Sequence, residues 1–146
     1  MDRNFAFEVA ETAQALRRAF DRRAAALGVT RAQWRVLARL GRENGLRQVA
    51  LAESLDLEPI TLCRMIDRLE EAGLVERRRD EADRRAWRIR LTEKAVPITE
   101  CLRVLGTEFL GEALDGIAPA DQARALEVLE RVRANLSTGK TQKKRA

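Results

Sequence analysis

Histidine and tyrosine are absent from this sequence of 146 residues, cysteine occurs twice and proline three times. Losing histidine removes the commonest general base and the commonest metal ligand. The sequence also shows no paired nucleophile and base, no metal-ligand cluster and no phosphate-binding glycine loop, so neither catalysis nor a metal or other cofactor is expected. Cys63 and Cys101 form no pairing motif, which makes a reducing cytoplasm the expected setting. No run approaches about 18 consecutive apolar residues, so no membrane span is expected. The opening MDRNFAFEVAETAQ lacks an apolar core of signal-peptide type.

Apolar residues make up 45% of the chain and charged residues 35%. Helices that bury one stripe and expose a charged face account for both figures. The net charge is +5, and it is unevenly placed. Glu76 to Arg90 holds seven arginines against four acids, and Lys140, Lys143, Lys144 and Arg145 crowd the last ten residues. Basic segments of this kind favour acidic partners such as nucleic acid.

Val9, Ala13, Leu16, Phe20, Ala24 and Leu27 recur at helical spacing, and Gly28 supplies a stop. Thr30 and Gln33 make a capping box for a second helix with Trp34, Leu37 and Leu40 as its stripe. A short helix, Gln48 to Leu55, is followed by a tight connection and a helix from Pro59 to Ala72, ended by Gly73. Two helices and a tight turn within about 25 residues are the helix-turn-helix pattern. Leu74–Arg78 and Trp87–Leu91 read as a hairpin with a polar tip, a wing. Thr92 is the expected N-cap of a long helix whose early Pro97 bends it or delays its start. Pro119 opens the last helix, and the tail from 137 to 146 is expected to be basic and disordered. The expected fold is therefore mainly α with a small β-hairpin wing, a winged helix-turn-helix spanning about 30–91 within a single domain of residues 1–136.

In the helix after Pro59, Leu62, Ile66 and Leu69 must face the core. Thr61, Arg64 and Arg68 then share another face, polar and cationic, of a size that enters the major groove of double-stranded DNA. Arginine can give guanine two parallel hydrogen bonds there. The competing reading has Arg64 and Arg68 solvated, pairing with Glu71 or Asp67. Arg84 and Arg85 at the hairpin tip suit the negative potential of a narrow minor groove, with Asp83 beside them; alternatively the loop is solvated with its own ion pairs.

The run LEEAGLVERRRDEADRRAWRIRLTEKA, with TRAQWRVLARL and QVALAESLDL, resembles the MarR family, and its DRRAxRIxLTEKAxP core is similar to the SlyA-like branch. The resemblance extends to about Leu136. It implies a homodimer whose N- and C-terminal dimerisation helices, about 5–27 and 93–136, intertwine. It places Thr61 and Arg64 at recognition-helix contacts and Asp83 and Arg85 on an Asp-x-Arg wing pattern in which Asp83 stabilises the wing. Arg84 is added as a second wing contact and Arg68 by helical spacing.

Dimerisation also follows from the apolar stripes, which exceed what one small wing domain can cover. Phe5, Phe7, Leu16, Phe20, Leu102, Leu105, Phe109, Leu129 and Leu136 are the expected interface; the alternative is that they close one monomeric bundle. By resemblance, a small aromatic carboxylate or phenolic ligand is expected to bind near Arg17, Trp34 and Met65. The competing reading, which the residue types favour, makes Trp34 and Met65 ordinary core and leaves Arg17 solvated. Cys63 on the recognition helix is either a redox-active thiol or a small half-buried packing residue. The expectation is a cytoplasmic, nucleoid-associated transcription regulator, a repressor acting on an inverted repeat; a weakly specific architectural DNA-binding protein is the alternative.

Overall fold

A computed structural model describes residues 4–143, and side chains through residue 137. The order of elements is α1 (Phe5–Ala26), α2 (Arg31–Arg42), β1 (Leu46–Arg47), α3 (Gln48–Ser54), α4 (Pro59–Glu71), β2 (Val75–Arg79), β3 (Trp87–Leu91), α5 (Ala95–Ala113) and α6 (Pro119–Lys143). The chain divides after Phe109, within α5, into two compact units. The first is a winged helix-turn-helix with α1 before it; the second holds the end of α5 and α6.

The core of the first unit is built from the stripes that the periodicity marks. Val36, Leu37 and Leu40 of α2, Leu51 and Ala52 of α3 and Leu62, Ile66 and Leu69 of α4 are buried together with Val75 and Ile89 of the hairpin. The capping box at α2 forms as expected. The Thr30 hydroxyl accepts from the Gln33 N–H at 3.2 Å, and the Gln33 side chain accepts from the Thr30 N–H at 3.0 Å.

The turn between α3 and α4 closes with Asp56 in the left-handed region, φ 52°. The Leu57 N–H reaches back to the Ala52 carbonyl at 3.0 Å, and Arg35 of α2 donates to the Leu55 carbonyl at 2.6 Å. At the end of α4, Gly73 takes φ 74°, so that Gly73 and Leu74 donate to Glu70 and Leu69. That double bond satisfies the last carbonyls and starts the hairpin.

The sheet is antiparallel and has three strands in the order β1-β3-β2. The hairpin is as expected, one residue displaced at β2, but β1 was not foreseen. Its two residues pair Leu46 with Ile89 and Arg47 with Arg88, which fastens the start of α3 to the wing.

Three expectations are corrected. Thr92 does not cap α5: its hydroxyl donates to the Gly73 carbonyl at 2.6 Å, pinning the end of the wing to the end of α4, and α5 starts only at Ala95, with Pro97 in its first turn. Leu102 and Phe109 are buried within their own unit rather than left for a partner; Phe109 meets the Phe20 ring at 5.7 Å between centroids. The backbone of α6 stays helical to Lys143, beyond the expected start of a disordered tail at 137, in a stretch without proline. The side chains of Lys140 and Lys143, and all of Lys144 and Arg145, lie outside what is described.

Candidate nucleic-acid interface

Helix α4 presents three faces, each with a different fate. The first, Leu62, Ile66 and Leu69, is buried in the core. The second is held by one arginine from β2. The Arg77 guanidinium binds Asp67 at 2.7 Å, Glu70 at 3.0 Å, the Gln48 side chain at 3.2 Å and the Cys63 carbonyl at 3.2 Å. Burial works against its charge, but the two carboxylates outweigh this and raise its pKa. Asp67 is thereby committed to Arg77, not to Arg64 or Arg68 as one sequence reading had it.

The third face is outward. Thr61, Arg64 and Arg68 are exposed, and no ion pair or side-chain hydrogen bond among the described residues holds either guanidinium. A helix clamped on two sides offers its third as a rigid, cationic surface, which limits the entropy lost when that surface meets a partner.

The wing is organised around a buried carboxylate that sequence reading missed. Asp80 is only 2% exposed. One oxygen accepts from the N–H groups of Ala82 and Asp83 at 2.9 and 3.0 Å; the other accepts from Arg47 Nε at 3.1 Å and Arg88 Nε at 2.6 Å. The Asp83 N–H, followed by the two arginines and the Ala82 N–H, holds the Asp80 carboxyl well below the usual carboxylate range against its burial. Arg88 also donates to the Gly45 carbonyl at 2.8 Å. Asp80 therefore joins the wing loop, β3 and the β1–α3 junction.

Asp83 has a smaller part than expected. Its carboxylate accepts from the Arg85 backbone N–H at 3.0 Å, closing a turn, rather than from a guanidinium. Arg84 and Arg85 are exposed at the tip, with no ion pair among the described residues. Arg79 braces the loop from behind: it donates to the Arg84 carbonyl at 2.8 Å and lies 3.9 Å over the Trp87 ring. Between wing and helix pair runs a cleft of about 510 Å³, lined by Arg47, Val49, Pro59, Asp83, Arg85 and Trp87 among others.

Arg17, Trp34 and Met65 differ in their surroundings. The Trp34 indole N–H donates to Asp21 at 2.7 Å and its ring stands edge-on to Phe20, centroids 4.7 Å apart. Met65 packs on the core, and Arg17 is exposed. Cys63 is half-buried, with its sulfur 3.7 Å from Arg77, and Cys101 is exposed.

The arrangement is a winged helix-turn-helix with an unencumbered recognition helix. The MarR family model matches residues 29–87. The crystal structure of the transcriptional regulator PA3341 is similar over 92% of this chain and 99% of its own, at 38% identity and TM-score 0.86. That of the transcriptional regulator SlyA is similar over 93% and 96%, at 27% identity and TM-score 0.80. A MarR-family regulator of Listeria monocytogenes, solved in complex with a 26mer DNA, shares the fold at TM-score 0.83 and 20% identity, over 94% of this chain and 91% of its own. The chain is a member of the MarR family of transcriptional regulators.

Proposed function

We propose that this protein is a homodimeric, sequence-specific repressor that binds duplex DNA at an inverted repeat. The observation that carries the reading is the third face of α4. Thr61, Arg64 and Arg68 stand exposed on a helix immobilised on its other two sides, and the same lobe offers Arg84 and Arg85 at the wing tip. In this reading Thr61, Arg64 and Arg68 enter the major groove, and Arg84 and Arg85 follow the minor groove, with Asp83 steadying the turn between. The DNA held by the Listeria relative supports the reading. The protein acts by binding, in the cytoplasm on the nucleoid, with no catalytic step.

The dimer is supported by apolar side chains left in solvent: Phe5 and Phe7 on α1, and Leu126, Val128 and Leu136 on α6. In this reading residues 1–136 act as one domain whose flanking helices dimerise. Two-fold symmetry then sets two half-sites about one helical turn apart. Release by a small aromatic carboxylate or phenol completes the proposal, with Arg17, Trp34 and Met65 as its candidate contacts.

The test is selection from a random duplex pool at about 150 mM salt, where phosphate-only binding is suppressed. An inverted repeat is expected, and Arg64→Ala should abolish its enrichment. Binding only at low salt, with no motif, would replace the repressor by a weakly specific architectural protein. Ligand release is then read by adding aromatic acids to the selected complex.

A further inference from the structure

From Val29 to Ala95 the first unit leaves only two large apolar side chains exposed, Val49 at 65% and Ile60 at 62%. Single exposed apolar residues are ordinary on protein surfaces, so position must decide whether one matters. Ile60 follows Pro59 in the first turn of α4. It precedes Arg64 and Arg68 by one and two turns at steps of four, which puts the three on one ridge. On an ideal helix Ile60 and Arg64 lie about 40° apart, and both point roughly away from the buried face of Leu62, Ile66 and Leu69. The face gripped by Arg77 lies to one side of them, through Cys63, Asp67 and Glu70.

We propose that Ile60 reads the C5-methyl group of a thymine in the major groove, one helical turn ahead of the base read by Arg64. The proposal rests on the DNA-binding reading above and adds a base preference to it. The major groove offers one apolar recognition element, the thymine methyl, and an aliphatic side chain is its natural complement. The N-terminal residues of a recognition helix are those that meet base edges. Isoleucine is stiff at χ1, so its methyl groups lose little freedom on contact. Val49 is equally exposed but belongs to the first turn of α3, the helix that precedes the reader, and is not assigned this role.

The test uses the full chain and the duplex recovered by selection. Each thymine is replaced in turn by deoxyuridine, which removes only the methyl group, and affinity is measured by fluorescence anisotropy. One thymine per half-site should show a loss of about fourfold, the effect of uncovering one methyl-sized group. Ile60→Ala should bind thymine and uracil duplexes equally, whereas Val49→Ala should keep the difference. Ile60 is exposed, so the variant retains its fold, which circular dichroism checks. Specific binding that needs Arg64 but shows no uracil effect, or one that survives Ile60→Ala, overturns this proposal alone. Absence of any specific duplex binding overturns it together with the reading on which it rests.

Discussion

Between Val29 and Ala95 the chain hides Val36, Leu37, Leu40, Leu51, Leu62, Ile66, Leu69, Val75 and Ile89 from water. Helix α6 is comparably rich in apolar residues, with Leu126, Val128, Leu129, Val132 and Leu136, yet none of its described side chains is buried. The same residue types thus serve two ends. In the first stretch they close on one another and make a rigid reader. In α6 none closes fully and Leu126, Val128 and Leu136 stay open, which a polar-faced monomeric helix would not do and which a second copy would correct.

The largest expected effect comes from breaking the closed side of this comparison. Leu62→Ala should lower the unfolding free energy by about 2–5 kcal/mol in denaturant titration, because a fully buried leucine leaves a cavity among neighbours that are themselves packed. Leu126→Asp should do the opposite: little change in the secondary structure of the reading lobe, but a fall in sedimenting mass from two chains to one. If Leu126→Asp left the mass at two chains, α6 would have no part in the dimer and its open stripe would need another occupant.

A smaller effect belongs to Asp80, the buried polar centre of an otherwise apolar region. Asp80→Asn keeps the shape and removes the charge that Arg47 and Arg88 face. It should lower the melting temperature and weaken DNA binding through a loosened wing. The sign with pH follows from the depressed pKa. The ionised carboxylate stabilises the fold at all pH values above the unfolded carboxyl pKa of about 3.9 and loses that effect as pH falls through the lower folded value. The gap in melting temperature between the native chain and Asp80→Asn should be flat from about pH 5 to 8 and narrow in stronger acid. A gap that held in acid would take the charge of Asp80 out of the account.

The contrast also explains what could be read in the sequence. Helix stripes, the Thr30–Gln33 box and Gly73 are local signals: a spacing of 3 and 4, a hydroxyl before an amide, a residue free to take positive φ. The helices and hairpin were therefore legible, and so was the outward ridge of Thr61, Arg64 and Arg68, because it is what remains when Leu62, Ile66 and Leu69 turn inward. Contacts between distant residues left no such trace. Strand β1 is two residues long and shows no alternation, so only its pairing with Ile89 and Arg88 reveals it. Asp80 stands among four acids and seven arginines between Glu76 and Arg90, and nothing local says which acid is buried. Arg77 likewise looks like any other cation of the wing until Asp67, Glu70 and Gln48 converge on it. Leu102 and Phe109 carry the same stripe as interface residues would, and the two roles are separated by packing between distant residues, Leu102 in the core cluster and Phe109 beside Phe20.

The smallest expected effect concerns how the reader holds the backbone of DNA. Arg84 and Arg85 are exposed on a loop where Asp80 is engaged in its cluster and Asp83 on the Arg85 N–H. A cation that releases one counterion from duplex DNA adds about 0.9 to the slope of log affinity against log salt. Two wings in a dimer double that contribution, so Arg85→Ala should flatten the slope by nearly two while leaving the selected motif unchanged. Arg84→Ala should do the same if both arginines reach the groove, and nothing if Arg79, by holding the Arg84 carbonyl, turns that side chain away. A slope unchanged in both variants would place the wing tip off the DNA and leave recognition to the ridge of α4 alone.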